Sequence, residues 1–164
     1  KCTRPGGCGS REDWKMKTRL TAMLALAMVA TSLACAVGDD GWTTDFEAAK
    51  KESAKRGVPI LVNFSGSDWC GWCIRLEAEV FSKKEFKKFA SEKLVLFMAD
   101  FPMEKEQTKE LKAQNKKLSD KYGVRGFPTV LLLDKDGKKL AQTGYRKGGP
   151  AEYVKHVEAL LGKK

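Results

Sequence analysis

The sequence is poor in the residues that bind metals or cross-link a chain, with five cysteines and one histidine among 164 residues. A structural zinc site needs four ligands. After residue 36 the chain offers only one cysteine pair, Cys70 and Cys73, with His156 far away in sequence on a helix surface. We therefore expect no metal. One closely spaced pair also cannot form the framework of a disulfide-stabilised domain, which favours a reactive pair.

The chain also lacks a long apolar run. Residues 20–33 (LTAMLALAMVATSL) are apolar, but they fall short of the roughly 20 residues that cross a bilayer. They follow the basic residues Lys17 and Arg19 and precede the small residues of Ala34-Cys35-Ala36. This order predicts a signal peptide over residues 16–36 that is cleaved after Ala36. The alternative is a retained membrane anchor.

Cys35 follows a small residue, as the lipid-attachment cysteine of a lipoprotein does. Ser32, however, occupies the position where such a signal has a bulky aliphatic residue, so anchoring through a lipid on Cys35 is the less favoured alternative. Residues 1–15 show no apolar periodicity and are interpreted as upstream sequence outside any domain, which makes Cys2 and Cys8 poor functional candidates. The expected location is exported, in a bacterial periplasm.

The rest of the chain alternates between helical and strand patterns. Residues 37–44 are predicted as a linker and residues 45–164 as one domain. The predicted helices are Asp45–Arg56, Cys70–Ala90 with a break near Ser82, Glu104–Tyr122 and Ala151–Leu161, and the strands are Ile60–Phe64, Leu94–Asp100, Pro128–Leu133 and Lys139–Tyr145. Strands joined through helices favour parallel pairing, and the tight turn at 134–137 requires an antiparallel hairpin. The prediction is an α/β fold with a mixed central sheet of about four strands and helices on both faces.

The motif Cys70-Gly71-Trp72-Cys73 lies where a buried strand gives way to a helix. At a helix N-terminus, free backbone N–H groups and the helix dipole favour a thiolate. A second cysteine one turn later lies on the same face, so the two sulfurs can form a disulfide. The motif therefore predicts dithiol–disulfide exchange.

Three segments together resemble the thioredoxin-fold superfamily in motif, order and spacing: Val62-Asn63-Phe64, Trp69–Cys73 and Gly126-Phe127-Pro128-Thr129. The resemblance covers residues 42–162. The longer string from Asp68 to Phe81 is similar to exported thioredoxin-like proteins and to the C-terminal periplasmic domain of the transmembrane thiol reductase. The resemblance implies the thioredoxin fold and a protein thiol–disulfide oxidoreductase that uses no bound cofactor.

The resemblance also implies roles for matched residues. Cys70 would attack a substrate disulfide, and Cys73 would resolve the mixed disulfide. Pro128 would follow a cis peptide bond, which leaves the backbone of Phe127 free to bind an extended substrate. Trp72 is expected to be an exposed, substrate-facing ring. Trp69 is a further substrate-binding candidate, with simple core packing as its alternative.

Two positions depart from the cytoplasmic thioredoxins. Asn63 occupies the place of a buried aspartate, and Leu96 is the nearest match to its paired lysine. Glu77, four residues after Cys73, becomes the candidate for influencing the thiols, since a nearby carboxylate would raise the pKa of Cys70. The alternative is a surface glutamate paired with Arg75 or a nearby lysine.

The expected partners follow from these interpretations. They are client proteins with disulfides or thiols, and a membrane or exported redox partner that supplies electrons. The protein itself is expected to be a monomer. The residues between the cysteines include no histidine of the kind that stabilises a thiolate in oxidising relatives, which favours a reductase. A non-catalytic client-binding module with a structural cysteine pair is the alternative.

The net charge of +10 includes a run of lysines at positions 83, 84, 87 and 88. Glu85 and Glu92 are interleaved with them, and an exported domain meets little nucleic acid. We therefore interpret the run as a solvated helix face and expect no nucleic-acid partner.

Overall fold

A computed structural model describes residues 41–162 of the chain. The predictions for Cys2, Cys8, Cys35 and the signal peptide over residues 16–36 lie outside the described residues. Within the described part, no helix is both long enough and apolar enough to span a membrane.

The described residues form alternating strands and helices, which we number in chain order. They are β1 (Trp42–Thr43), α1 (Phe46–Arg56), β2 (Ile60–Ser65), α2 (Gly71–Leu76), a π-helical turn (Glu77–Phe81), α3 (Lys84–Lys93), β3 (Val95–Asp100), α4 (Lys109–Tyr122), β4 (Thr129–Leu133), β5 (Lys139–Thr143) and α5 (Gly149–Leu161). The helix break predicted near Ser82 is confirmed, because the π-helical turn ends there and α3 starts two residues later.

The described strands form one mixed sheet in the order β1-β3-β2-β4-β5. β3 pairs in parallel with both β1 and β2, whereas β4 pairs antiparallel with β2 and β5. The predicted mixed sheet is confirmed, but it has one strand more than expected. Trp42 and Thr43, predicted as linker, form a short edge strand opposite Leu96 and Phe97. Two residues are too few to produce a periodic pattern.

β2 lies in the middle of the sheet, and both of its faces are covered. Its sequence is therefore a nearly continuous apolar run. Successive side chains alternate between the faces. Ile60, Val62 and Phe64 belong to the core under α1 and α4, and Leu61 belongs to the core under the π-helical turn, α3 and α5. Helices on both faces of the sheet are thus confirmed.

The loop before α4 is longer than the sequence pattern predicts. α4 begins at Lys109 rather than at Glu104, with the Thr108 hydroxyl as its N-cap accepting from the Leu111 N–H at 3.2 Å. Residues 101–108 form a loop instead, and part of this loop is bound to the segment that precedes the cysteines.

Candidate active site

Cys70 and Cys73 lie at the junction of β2 and α2. After β2 ends at Ser65, the Cys70 N–H donates to the Gly66 carbonyl at 2.9 Å, which closes a turn. Cys70 is the N-cap of α2, and its sulfur accepts from the Cys73 N–H at 3.3 Å. The predicted position of the first cysteine, at the start of a helix, is therefore confirmed.

A disulfide bond joins Cys70 to Cys73 across a Cα–Cα distance of 5.2 Å. Cys70 is 7% exposed and Cys73 is 4% exposed. An attacking thiol is expected to be more exposed than the thiol that resolves the mixed disulfide. In the disulfide form, exposure hardly separates the two residues, and they differ instead in position, one at the cap and one in the first turn.

Trp69, directly before the disulfide, is 42% exposed and packs in an aromatic group with Phe101 and Phe127, which we call the Trp69 cluster. Its ring meets that of Phe127 edge-on, with centroids 5.9 Å apart, and its Nε1–H donates to the Phe101 carbonyl at 2.8 Å. Simple core packing, the alternative for Trp69, does not describe this half-open ring. A Cβ on Gly66 would lie 2.5 Å from the indole, so this position has no room for a side chain.

Asp68 binds the loop that contains Phe101. Its carboxylate accepts from the backbone N–H groups of Met103, Glu104 and Lys105 at 3.0, 2.8 and 3.1 Å. These hydrogen bonds, foremost that of Met103, hold the pKa of Asp68 below its usual value. Met103 itself is 73% exposed. The loop after β3 therefore lies beside the cysteines, an arrangement that sequence reasoning missed.

Trp72, between the cysteines, is 53% exposed, and its predicted exposure is confirmed. Its ring packs on Tyr145 with centroids 5.1 Å apart, and the Arg75 guanidinium lies 5.7 Å from each of these two rings. Glu79 accepts from Arg75 Nε and from the Tyr145 hydroxyl, both at 2.6 Å. We call these four residues the Trp72 cluster.

The members of the Trp72 cluster shift one another's proton affinities. The Tyr145 hydroxyl first, and then the Arg75 guanidinium, lower the pKa of Glu79. The hydrogen bond to Glu79 raises the pKa of Tyr145, and the same carboxylate raises that of Arg75. At neutral pH the cluster therefore contains an ionised carboxylate, a guanidinium and a neutral phenol. The four-residue spacing of Arg75 and Glu79 is typical of an ion pair on a helix and can be recognised in the sequence. Nothing in the sequence links either residue to Tyr145.

The peptide bond between Phe127 and Pro128 is cis, as the resemblance implies. Thr129 supports the turn before it, because its hydroxyl donates to the Gly126 carbonyl at 2.7 Å. The chain after β5 passes close to this turn: a Cβ on Gly144 would lie 3.0 Å from the Pro128 carbonyl oxygen.

Glu77 lies at the end of α2 and is exposed, while Cys73, one turn earlier, is buried. Its backbone N–H donates to the carbonyls of Cys73 and Ile74. Arg75, which the alternative paired with Glu77, forms its ion pair with Glu79. The influence of Glu77 on the thiols stays a prediction.

Asn63 is buried in β2, opposite Met98 of β3. Its amide Nδ2 donates to the Met98 sulfur at 3.6 Å, and its Oδ1 accepts no hydrogen bond from any residue within 41–162.

His156 of α5 is half-buried rather than simply on the surface, and its Nε2 lies 2.9 Å from the Thr143 hydroxyl. No group of three or more potential metal ligands occurs among the residues that the structure describes.

Comparison with known proteins places the chain in a family. The family model of the thioredoxin-like domain matches residues 46–160. The chain belongs to the thioredoxin-like family. One similar protein is the disulfide bond reductase DsbH of Chlamydia pneumoniae. It is 38% identical over 116 residues, which make up 71% of this chain and 70% of the relative.

Solved structures agree with the thioredoxin-like assignment. A DsbH oxidoreductase structure superposes with a TM-score of 0.72 at 32% identity, covering 88% of this chain and 99% of the other. The oxidised C-terminal domain of DsbD from Neisseria meningitidis gives a TM-score of 0.51 at 17% identity over 68% of this chain and 89% of that domain. This second similarity shows a shared fold.

Proposed function

We propose that this thioredoxin-like protein is an exported thiol–disulfide oxidoreductase that reduces disulfides in client proteins. The observation that carries the proposal is the bonded pair Cys70–Cys73 at the turn from β2 to α2. A disulfide bond reductase and a DsbH oxidoreductase among the similar proteins support the oxidoreductase class. Export and the direction of electron flow rest on the sequence, that is, on residues 16–36 and on the dipeptide Gly71-Trp72.

In the reaction, the Cys70 thiolate attacks one sulfur of a client disulfide. A mixed disulfide forms, and the other client sulfur leaves as a thiolate. The Cys73 thiolate then attacks the Cys70 sulfur, which releases the second client thiolate and leaves the Cys70–Cys73 disulfide. Two electrons have passed to the client, so a dithiol donor outside this chain must reduce the pair before the next cycle.

The surroundings of the disulfide suit an extended client segment. Trp69 lies directly before Cys70 and Trp72 lies between the two cysteines, and both present half-open rings. Phe127 and Pro128 are joined by a cis peptide bond and lie just before β4, outside its strand pairing, and we assign both residues to client binding. Glu77, exposed one turn after Cys73, is proposed to raise the pKa of Cys70 until a client docks.

A client-binding module with a structural cysteine pair is the second candidate, and the low exposure of Cys70 and Cys73 favours it. Alkylation after mild reduction separates the candidates. One fast-reacting thiol near neutral pH is expected of the oxidoreductase, since the cap position lowers the pKa of a thiol. Two inert thiols would support the module.

Cysteine variants test the roles in the reaction. Cys70→Ser is expected to abolish reduction of insulin disulfides, because the attacking thiolate is gone. Cys73→Ser is expected to accumulate mixed disulfides with clients, visible by non-reducing electrophoresis, because the resolving thiol is missing. Equal trapping by both variants would contradict the assignment of roles.

The reduction potential tests the direction of electron flow. A value close to the roughly −270 mV of thioredoxin supports a reductase, and one close to the roughly −120 mV of a strong periplasmic oxidant contradicts it. N-terminal sequencing of the exported protein, expected to start at Val37, tests the proposed signal peptide separately.

A further inference from the structure

The Trp72 cluster joins two parts of the chain that are distant in sequence. Trp72, Arg75 and Glu79 come from α2 and the π-helical turn that follows it, and Tyr145 comes from the segment after β5. Each carboxylate oxygen of Glu79 has its own donor. Oε1 accepts from Arg75 Nε, and Oε2 accepts from the Tyr145 hydroxyl. Arg75 and Tyr145, which both pack on the Trp72 ring, are therefore bound to one carboxylate.

Such a carboxylate restricts side chains that would otherwise be free to move. Arginine loses much rotamer entropy when it is fixed, and hydrogen bonds to an ionised acceptor are among the stronger ones in proteins. With Glu79 ionised, Arg75 and Tyr145 are kept against the indole. Without it, the guanidinium and the phenol would be released towards solvent, and Trp72 would lose a defined neighbour.

The backbone of the Tyr145 segment is also fixed. The Tyr153 hydroxyl, on the buried side of α5, donates to the Gly144 carbonyl at 3.2 Å. Gly144 also approaches the Pro128 carbonyl too closely to accept a larger side chain easily. The backbone directly before Tyr145 thus passes beside the cis-proline turn, and the Tyr145 side chain packs against the helix that contains the cysteines.

We propose that Glu79 and Tyr145 are positioning residues that keep the Trp72 indole in place as one wall of the client site, and that this wall selects an apolar side chain beside the reacting cysteine of the client. The inference rests on the proposed function. The wall consists of two aromatic rings, and the charge of Arg75 is balanced by Glu79. Aromatic rings whose neighbouring charge is paired favour aromatic or aliphatic groups over polar ones.

Two synthetic peptides test this selectivity, each containing an intramolecular disulfide and differing only in a Phe or a Ser after the second cysteine. Protein reduced with dithiothreitol and freed of it is mixed with each peptide, and acid-quenched samples give the rate constants. The wild type is expected to reduce the Phe peptide about two- to tenfold faster than the Ser peptide, the size of one aromatic contact.

Glu79→Gln and Tyr145→Phe are expected to bring this ratio towards one. Because both act through the same hydrogen bond, the double variant should lower it no further than Glu79→Gln alone. Glu152→Gln is the matched control, since Glu152 forms a similar exposed ion pair with Lys155 on α5. The control is expected to retain the wild-type ratio.

Two results would overturn the inference: an unchanged ratio in Glu79→Gln and Tyr145→Phe, or an equal loss of rate on both peptides. The second would mean that the cluster affects the thiols or the fold rather than the client. Failure of the proposed function is recognisable separately, because the wild-type protein would then reduce neither peptide nor the small disulfide of hydroxyethyl disulfide.

Discussion

Two tryptophans lie three residues apart beside the same disulfide, and the structure fixes them by different means. In the Trp69 cluster the indole N–H binds a backbone carbonyl, and the neighbouring loop is bound through its backbone N–H groups to Asp68. In the Trp72 cluster the contacts are between side chains, with Glu79 as the common acceptor.

This difference separates a rigid part of the site from an adjustable one. Backbone groups are present whatever the side chain, so the loop bound to Asp68 tolerates changes in the side chains of Met103, Glu104 and Lys105. The Trp72 cluster depends on the identity and ionisation of three particular side chains. In the proposed client site, specificity can therefore change at Trp72 with little effect on the frame around Trp69.

The largest expected effect comes from adding a side chain at Gly66. In Gly66→Ala the new Cβ would collide with the Trp69 indole, which must then move and give up its hydrogen bond to Phe101. We expect the free energy of unfolding, measured by urea denaturation, to fall by about 1–3 kcal/mol.

A double-mutant cycle provides the control for this prediction. With Trp69→Ala already present, Gly66→Ala should cost much less, because the colliding ring is absent. The same cost in both backgrounds would show that the indole is not what restricts position 66.

The next largest effect is expected for Asp68→Asn, which keeps the shape of the side chain and removes its charge. The folded-state pKa of Asp68 is lowered. Stabilisation by the carboxylate is therefore complete above the unfolded-state pKa of about 3.9 and is lost as the pH falls through the folded-state value. Wild type and variant should differ in stability at neutral pH and converge in acid.

Hydrogen exchange locates the effect of Asp68→Asn. The amides of Met103, Glu104 and Lys105 should exchange faster in the variant at neutral pH, since they donate to this carboxylate. Unchanged protection of these amides would contradict the role of Asp68 in fixing the loop.

The smallest effect is a shift in tyrosine titration within the Trp72 cluster. All three tyrosines have raised pKa values: burial is the main cause for Tyr122 and Tyr153, and the hydrogen bond to Glu79 for Tyr145. The raised values stabilise the fold below the unfolded-state pKa of about 10, and this stabilisation is lost as the pH rises through the folded-state values.

Glu79→Gln should therefore lower the pKa of one tyrosine, measured by the ultraviolet absorbance of tyrosinate, and leave the other two unchanged. Tyr145→Phe should remove that same transition. A shift in the variant that persists in the Tyr145→Phe background would assign it to a different tyrosine.

The sequence was sufficient for the parts of the site that depend on neighbouring residues. The position of Cys70 at a helix start, the exposure of Trp72 and the mixed sheet all follow from local patterns. The contacts that complete the site join residues far apart: 35 positions separate Asp68 from Met103, and 66 separate Glu79 from Tyr145. Local patterns contain no information about such pairs.

The extent of the helices shows the same limit. The polar stretch from Glu104 favours a helix by composition, yet its first residues form a loop bound to Asp68. The edge strand at Trp42 exists through its pairing with β3, not through a periodicity of its own. In both cases a tertiary contact decided a conformation that propensity alone could not.

The geometry of the site depends on the number of residues in the π-helical turn. Its wider turn joins the Ser82 N–H to the Glu77 carbonyl, five residues earlier. An α-helix advances by about 100° per residue, so deleting one residue here would rotate the segment with Trp72 relative to the buried Val80 and Phe81. Trp72 and Tyr145 would separate although no member of their cluster had been substituted. A single-residue gap at this turn would therefore mark a homologue in which the proposed wall of the client site is built differently, even if its cysteines align.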